Sequence, residues 1–324
     1  MQRSTLAACL AALGALVLAA PAQALNARSF VSVLGNDSAS CQSPPTACRT
    51  FQGAHDKTAP GGEIDILDPG GYGPVTITKA ISIVNDGVGV AGMVPPVGGA
   101  GITVNAGASD AISLRGLTID GQGGSGTNGI VFNGGGSLTI RDCLVRRNSF
   151  NGINTGNGLL FKPNGAGKLT ISDSVFESNN INSGISISPS GSGDVKAMLT
   201  RIEANNNGYG VYVSSFSKSA GSVQVSVFDS VAAHNASDGF SVVSPSAAVI
   251  PARLTLMQSV SANNGNSGLI AQFPQAILRI GESMVTDNYI GSQAPNGGQV
   301  LSYGTNQVDG NVYNNTIPGA AALD

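Results

Sequence analysis

The chain has 324 residues, a formal net charge of -3 and only 11% charged residues. So little charge, with no basic tract, removes the electrostatic footprint of a nucleic-acid or membrane-surface binder. Glycine is abundant at 45 residues, whereas aromatics make up 5% and tryptophan is absent, which counts against an aromatic sugar-stacking groove.

Arg3, the apolar run from Leu6 to Ala20, Pro21 and the small-residue exit Ala22-Gln23-Ala24 open the chain. This pattern reads as a secretory signal peptide over residues 1–24, cut after Ala24. The run is short for a bilayer span, and no second run of comparable length follows. The expectation is therefore an exported protein, periplasmic or extracellular, with no membrane span. "LAAC" at Cys9 imitates a lipoprotein box, but the apolar run continues past it. Next come Cys41 and Cys48 in "CQSPPTAC". An oxidising compartment favours a disulfide between them, which would restrict the unfolded chain by about 2–3 kcal/mol. No His or further Cys stands nearby to complete a metal site.

From Leu138 onward one phrase recurs: LTIRDCLVRRN, LTISDSVFESN, KAMLTRIEANN, VSVFDSVAAHN, LTLMQSVSANN and LRIGESMVTDN, starting at 138, 169, 196, 225, 254 and 278. Column three is apolar (Ile140, Ile171, Met198, Val227, Leu256, Ile280), as is column seven (Leu144, Val175, Ile202, Val231, Val260, Met284). Column eleven is asparagine throughout: Asn148, Asn179, Asn206, Asn235, Asn264 and Asn288. A glycine follows shortly (Gly152, Gly184, Gly210, Gly239, Gly268, Gly291), succeeded in the first five by Ile153, Ile185, Val211, Phe240 or Leu269.

A repeat of this length signals a stacked architecture. Apolar residues alternate with polar ones, so the elements are short strands. No window supplies a crossover helix, and each strand must pair, parallel and in register, with its counterpart in the next repeat. Equivalent residues then lie about 4.8 Å apart. Columns three and seven are expected to stack inward, each residue contributing about 1.5–3 kcal/mol, and the asparagines to ladder at the turns. Cys143 shares column six with Ser174, Ser230, Ser259 and Ser283, and is read as a small turn residue.

The irregular repeat lengths, alternating strands and Asn-turn-Gly-apolar phrase resemble the right-handed parallel β-helix of the pectin/pectate lyase-like superfamily. The resemblance runs from about Glu63 to Ser292 and implies an all-β solenoid. "CRTFQGAHDKTAPGGEIDILDPGGYGPVTITKAISIV" is similar to the first segment of bacterial β-helices and implies a short N-terminal capping helix, with Phe51 and Ala54 facing the first coil and Lys57 outward. Residues 25–62 are accordingly assigned to the cap, 63–292 to the β-helix and 293–324 to a last partial coil and tail.

The superfamily hosts lyases, hydrolases, esterases, epimerases, tailspikes and adhesins, so the resemblance does not choose a function. The enzymatic signatures N-T-D, G-H-G, R-I-K, W-I-D-H and D-F-x-F-G are absent. The candidates for chemistry lie in column five: Asp142, Asp173, Thr200, Asp229, Gln258 and Glu282. On adjacent coils Asp142 and Asp173 would stand about 5 Å apart, near the spacing of a retaining glycosidase pair and suitable for calcium. Arg201, one coil on and one column over, could meet a sugar carboxylate. Against this, Asp is an ordinary turn residue.

His55 and His234 lack the neighbours of a general base and read as solvated. "PNGAGKLT" from 163 echoes a phosphate loop, but Lys162 replaces its first Gly, Leu169 its Ser/Thr, and a strand follows. Arg141, Arg146 and Arg147 read as a solvated basic face within reach of an anionic glycan. The sequence thus points to an exported β-helix scaffold, a non-catalytic binding or structural protein for a polysaccharide or cell-surface component, without a cofactor. The alternative is a divergent polysaccharide lyase or glycoside hydrolase acting through Asp142, Asp173 and Arg201 on an anionic glycan.

Overall fold

A computed structural model describes residues 25–320 apart from 125, 151–155, 180, 246–249, 316 and 318. The signal-peptide reading, Cys9, Gly152 and Ile153 lie outside the described residues. Each coil passes through three faces. Ser137–Arg141, Val223–Phe228 and Ala252–Met257 belong to the first face, and Leu144–Arg146, Val231–Ala233 and Val260–Ala262 to the second. The third is a nine-stranded sheet that includes Leu159–Phe161, Tyr209–Ser214 and Phe240–Val243. Pairing is parallel and in register, Val225 against Leu254 and Leu254 against Leu278. The expected all-β solenoid is present, with about nine turns. Strand pairing extends ahead of Glu63, because Asn26–Val31 pairs with Thr58–Ile66.

Two features of the expected register need correction. The third segment begins at Ala197, since Leu169, Ile171 and Val175 face Ala197, Leu199 and Glu203. Leu199 is therefore the buried member of column three, and Met198 is 50% exposed. Column seven is not core: Leu144, Val175, Val231 and Val260 are half-buried and Met284 is exposed. The inward column is the eighth, in which Val145, Phe176, Ala204, Ala232, Ser261 and Val285 are all 0% exposed.

The cause lies in column five, where Asp142, Asp173, Arg201, Asp229, Gln258 and Glu282 all have φ between 47° and 53°. One left-handed residue turns the strand through a corner and resets the alternation, so columns six and eight face inward. Column ten forms a second corner, with φ of 55° at Arg147 and 56° at Asn206 and His234.

Just beyond that corner the asparagines form a buried ladder of Asn148, Asn179, Asn207, Asn235, Asn264 and Asn288. The backbone N–H of Asn207 donates to Asn235 Oδ1 at 3.0 Å, and that of Asn235 to Asn264 Oδ1 at 3.1 Å. Each such amide carries turn hydrogen bonds that a buried loop could not otherwise make. The glycines keep this ladder open: a Cβ on Gly184 would lie 2.7 Å from Asn207 Nδ2, and one on Gly268 2.7 Å from Asn288 Nδ2. In the coil containing Gly152 the equivalent residues are Gly158 and Leu159, because Leu159 pairs with Ile185.

Helix α1 (Phe51–Lys57) follows the disulfide loop, and the Thr50 hydroxyl caps it by accepting from Gly53 N at 2.9 Å. Phe51 and Ala54 are buried on the first coil as expected, and Tyr72 packs against Phe51 with ring centroids 5.1 Å apart. Cys41 and Cys48 are disulfide-bonded with Cα atoms 5.0 Å apart.

Candidate functional site

The corrected register moves Arg201 into column five itself, directly after Asp173, with Thr200 one column earlier. Arg201 clasps Asp173 through Nε–Oδ1 at 2.6 Å and Nη2–Oδ2 at 3.1 Å. These hydrogen bonds hold the Asp173 carboxyl below its usual pKa range, so it stays ionised. Asp142, one coil earlier, lies 3.6 Å from the Nε of both Arg115 and Arg141. The two aspartates are thus brought to neighbouring corners, but each faces arginine, and no shared-proton pair forms. Further along the corner Gln258 Nε2 donates to Glu282 Oε2 at 2.9 Å.

The remaining basic candidates are also engaged. Arg146 Nε meets Asp120 Oδ2 at 3.0 Å, and Arg147 Nε meets Asp120 Oδ1 at 2.7 Å. Partial burial works against ionising Asp120, but hydrogen bonds from Arg147, the Gln122 N–H and Arg146 outweigh it and lower its pKa. Arg146 and Arg147 are therefore ion-paired on a face that stays solvated, their side chains 35% and 49% exposed.

His234 is exposed at a column-ten corner. His55 is not solvated as expected, being only 3% exposed. Its Nε2 accepts from the Thr78 N–H at 3.2 Å, and its Nδ1 faces Asp56 Oδ1 at 3.1 Å. Burial lowers its pKa, and the nearby Lys79 charge acts in the same direction. Cys143 is buried at column six, and burial pushes its thiol up to about 11, which keeps it protonated and unreactive. The stretch from Pro163 is a loop leading into the strand Gly167–Glu177.

One feature escaped the sequence reading. On the third face Ser186, Ser241 and Ile270 alternate with inward residues and so point outward, yet they are 5%, 2% and 9% exposed. They stack in register with Tyr212, whose phenol has its pKa raised by burial. The only sequence signal is the uncharged outward position in "ISI", "VYV" and "FSV". Among the described residues no three His, Cys, Asp or Glu side chains converge on a common point.

No protein-family model matches the chain, and no curated protein sequence matches it. Its similarity is to solved structures. Pectate lyase Pel9A superposes with a TM-score of 0.63 at 17% identity, covering 91% of this chain and 81% of that one. A rhamnogalacturonan lyase superposes with a TM-score of 0.55 at 14% identity, covering 85% and 75%. The chain has the right-handed parallel β-helix fold of the pectate lyase-like proteins. At such identities the likeness extends to the fold alone.

Proposed function

We propose that this protein is an exported β-helix scaffold that binds a polysaccharide or other cell-surface component, in the periplasm or at the cell surface, without cleaving it. The observation that carries this reading is the bidentate Arg201–Asp173 pair. Both charges of the best catalytic candidate are spent on each other, and a carboxylate held ionised by arginine is a poor proton donor. The Cys41–Cys48 disulfide supports export. Purified protein should leave polygalacturonate and alginate uncut in an unsaturated-uronate absorbance assay and a reducing-end assay, with or without calcium. Nor should calcium raise the melting temperature, since a ligand stabilises only by binding the native state.

The fold shared with two polysaccharide lyases over most of the chain favours a second reading, a divergent lyase or hydrolase acting on an anionic glycan. Cleavage that disappears in Asp173→Asn, with the fold intact, would establish that reading and remove the first.

A further inference from the structure

Near the N-terminal end of the solenoid the exposed positions are aliphatic. Leu34 is 91% exposed, Val97 78%, Val90 60% and Val94 45%. Leu34 and Val97 lie at the tips of two tight turns, closed by hydrogen bonds from Gly35 N to the Ser32 carbonyl and from Gly99 N to the Pro96 carbonyl. Such tips ordinarily carry Gly, Asn, Asp or Ser. Between the turns runs the second-face strand Ala91–Met93, on which Ala91 and Met93 are buried and Val90, Gly92 and Val94 point outward.

The second face is flat at this point. Gly71 and Gly92 pair in register on adjacent coils, and neither has a left-handed φ. A Cβ on Gly71 would meet nothing within 4 Å, and one on Gly92 would make only ordinary contacts, 3.5 Å from the Gly70 carbonyl oxygen and 3.6 Å from Val90 Cγ1. Unlike the glycines beside the asparagine ladder, these two are not required by the packing of the chain itself. Glycine weakens a strand, and it marks a place where another backbone comes close. The flat strip joins the turn that carries Leu34, because a Cβ on Gly70 would lie 2.1 Å from Val33 Cγ1. The patch contains no charged residue, and the charges around it are engaged within the chain. Asp68 accepts from the Tyr72 hydroxyl at 2.6 Å and the Val33 N–H at 2.9 Å, Arg49 donates to the Gly71 carbonyl at 2.7 Å, and Asp86 pairs with Arg115 at 3.0 Å.

We propose that this patch docks a second copy of the chain, the same surface meeting itself about a two-fold axis. A surface without charge sets no like charges against each other when it meets its own copy. The glycine strip lets the two sheets approach closely, with the aliphatic side chains of each copy packed on the strip of the other. The patch offers roughly 500 Å² on each copy, against about 800 Å² per partner in a standard interface, so the dimer is reversible. A bilayer is a poorer match, since Leu34, Val90, Val94 and Val97 include no Trp, Tyr, Lys or Arg to anchor at its interface. Nor do these side chains offer hydrogen-bonding groups with which to select a different protein.

Sedimentation equilibrium of the mature protein at pH 7.5 tests the proposal. The mass should rise from monomer to dimer, and no further, between about 1 and 200 µM. About 0.5 M NaCl should leave the dissociation constant within about twofold, since no ion pair crosses the interface. Leu34→Asp/Val97→Asp should remain monomeric throughout, with an unchanged melting temperature in dilute solution because both side chains are exposed. Gly71→Val fills space that is open in the monomer, so it should keep the monomer's melting temperature while weakening the dimer at least about tenfold. Val312→Asp, at the opposite end and 67% exposed, should leave the dimer within about twofold. A monomer at every concentration overturns the proposal, and so does a dimer that survives Leu34→Asp/Val97→Asp or is lost in Val312→Asp. Mass that climbs past the dimer overturns the two-fold arrangement. A monomer that floats with phosphatidylethanolamine/phosphatidylglycerol vesicles would instead assign the patch to lipid.

Discussion

Asn235 is 1% exposed, yet its amide is fully used. Nδ2 donates to Asn264 Oδ1 at 2.9 Å and to the Ala204 carbonyl at 3.0 Å, while Oδ1 accepts from the Asn207 N–H. Buried polar groups add little net stability when paired but cost about 1–3 kcal/mol each when a partner is removed. Asn235→Ala strands the Asn207 N–H and the Ala204 carbonyl, and should cost about 3 kcal/mol in urea melts. Asn148, at the N-terminal end of the ladder, differs because its own Oδ1 has no hydrogen-bond partner among the described residues. Asn148→Ala should therefore cost less, about 1–2 kcal/mol, for the two hydrogen bonds its Nδ2 donates to the Arg146 carbonyl and Asn179 Oδ1. Equal losses at the two positions would show that the ladder does not act rung by rung. The neighbouring glycine column is fixed by the same geometry. A Cβ on Gly210 would lie 2.5 Å from the Gly239 carbonyl and 3.0 Å from Asn235 Nδ2, so Gly210→Ala should lose about 1–3 kcal/mol through overpacking.

The corner between the first two faces sets which residues a strand buries. Because Asp229 sits at φ 47°, Ala232 points inward at 0% exposure while Val231 is half-buried. Ala232→Asp should cost more than about 4 kcal/mol, the penalty of an unpaired charge in a sealed stack. Val231→Asp should cost about 1 kcal/mol, as for an ordinary partly exposed site. Melts of the two variants that coincided would refute the corner as the origin of the register. Asp173→Asn should cost under about 1 kcal/mol, since it loses an exposed ion pair and asparagine tolerates the left-handed region. Asp229→Val, with a β-branched side chain at that φ, should cost about 1–3 kcal/mol. The same corner explains what sequence could reveal. Ile140, Ile171, Val227, Leu256 and Ile280 precede it, and plain alternation places them in the core. Beyond it the alternation restarts with a shift, and the apolar character of Val231 and Val260 misleads because a half-buried outer position also accepts valine. The third segment slipped by one residue because "ANNN" offers three adjacent asparagines, and only strand pairing selects Asn207. The same slip hid the Arg201–Asp173 pair, and Asp120 precedes the first aligned segment, so no column revealed its pairing with Arg146 and Arg147. His55, four residues after Phe51, lies on the docking face that Phe51 and Ala54 define; its polar side chain made it read as solvated.

At the scale of the whole molecule, a parallel solenoid must manage its two ends, because unpaired strand edges invite self-association. The N-terminal segment covers the first coil on every face. Asn26–Val31 pairs with the first-face strand. Arg49 Nη1 donates to the Gly71 carbonyl at 2.7 Å, and Phe51 N to the Tyr72 carbonyl at 3.1 Å, on the second. On the third, α1 presents acceptors to the edge: Gln52 Oε1 receives the Thr76 N–H at 2.9 Å and His55 Nε2 the Thr78 N–H at 3.2 Å. His55 makes this last contact titratable. Only the neutral imidazole can accept at Nε2 while Nδ1–H turns to Asp56; the imidazolium has two donors and no acceptor. Burial has already lowered its folded pKa, so the unfolded chain takes up the proton first as pH falls. The contribution of this contact is complete above the unfolded value of about 6.5, shrinks below it, and is gone once the folded pKa is passed. The melting temperature should therefore be level from about pH 8 to 7 and fall as the pH drops below about 6.5. Sedimentation velocity should show self-association in the same interval as the third-face edge is uncovered. His55→Gln supplies an amide oxygen to Thr78 that does not titrate, and should flatten the melting profile and suppress the association. An unchanged pH profile in His55→Gln would show that His55 does not govern the acid sensitivity of the cap.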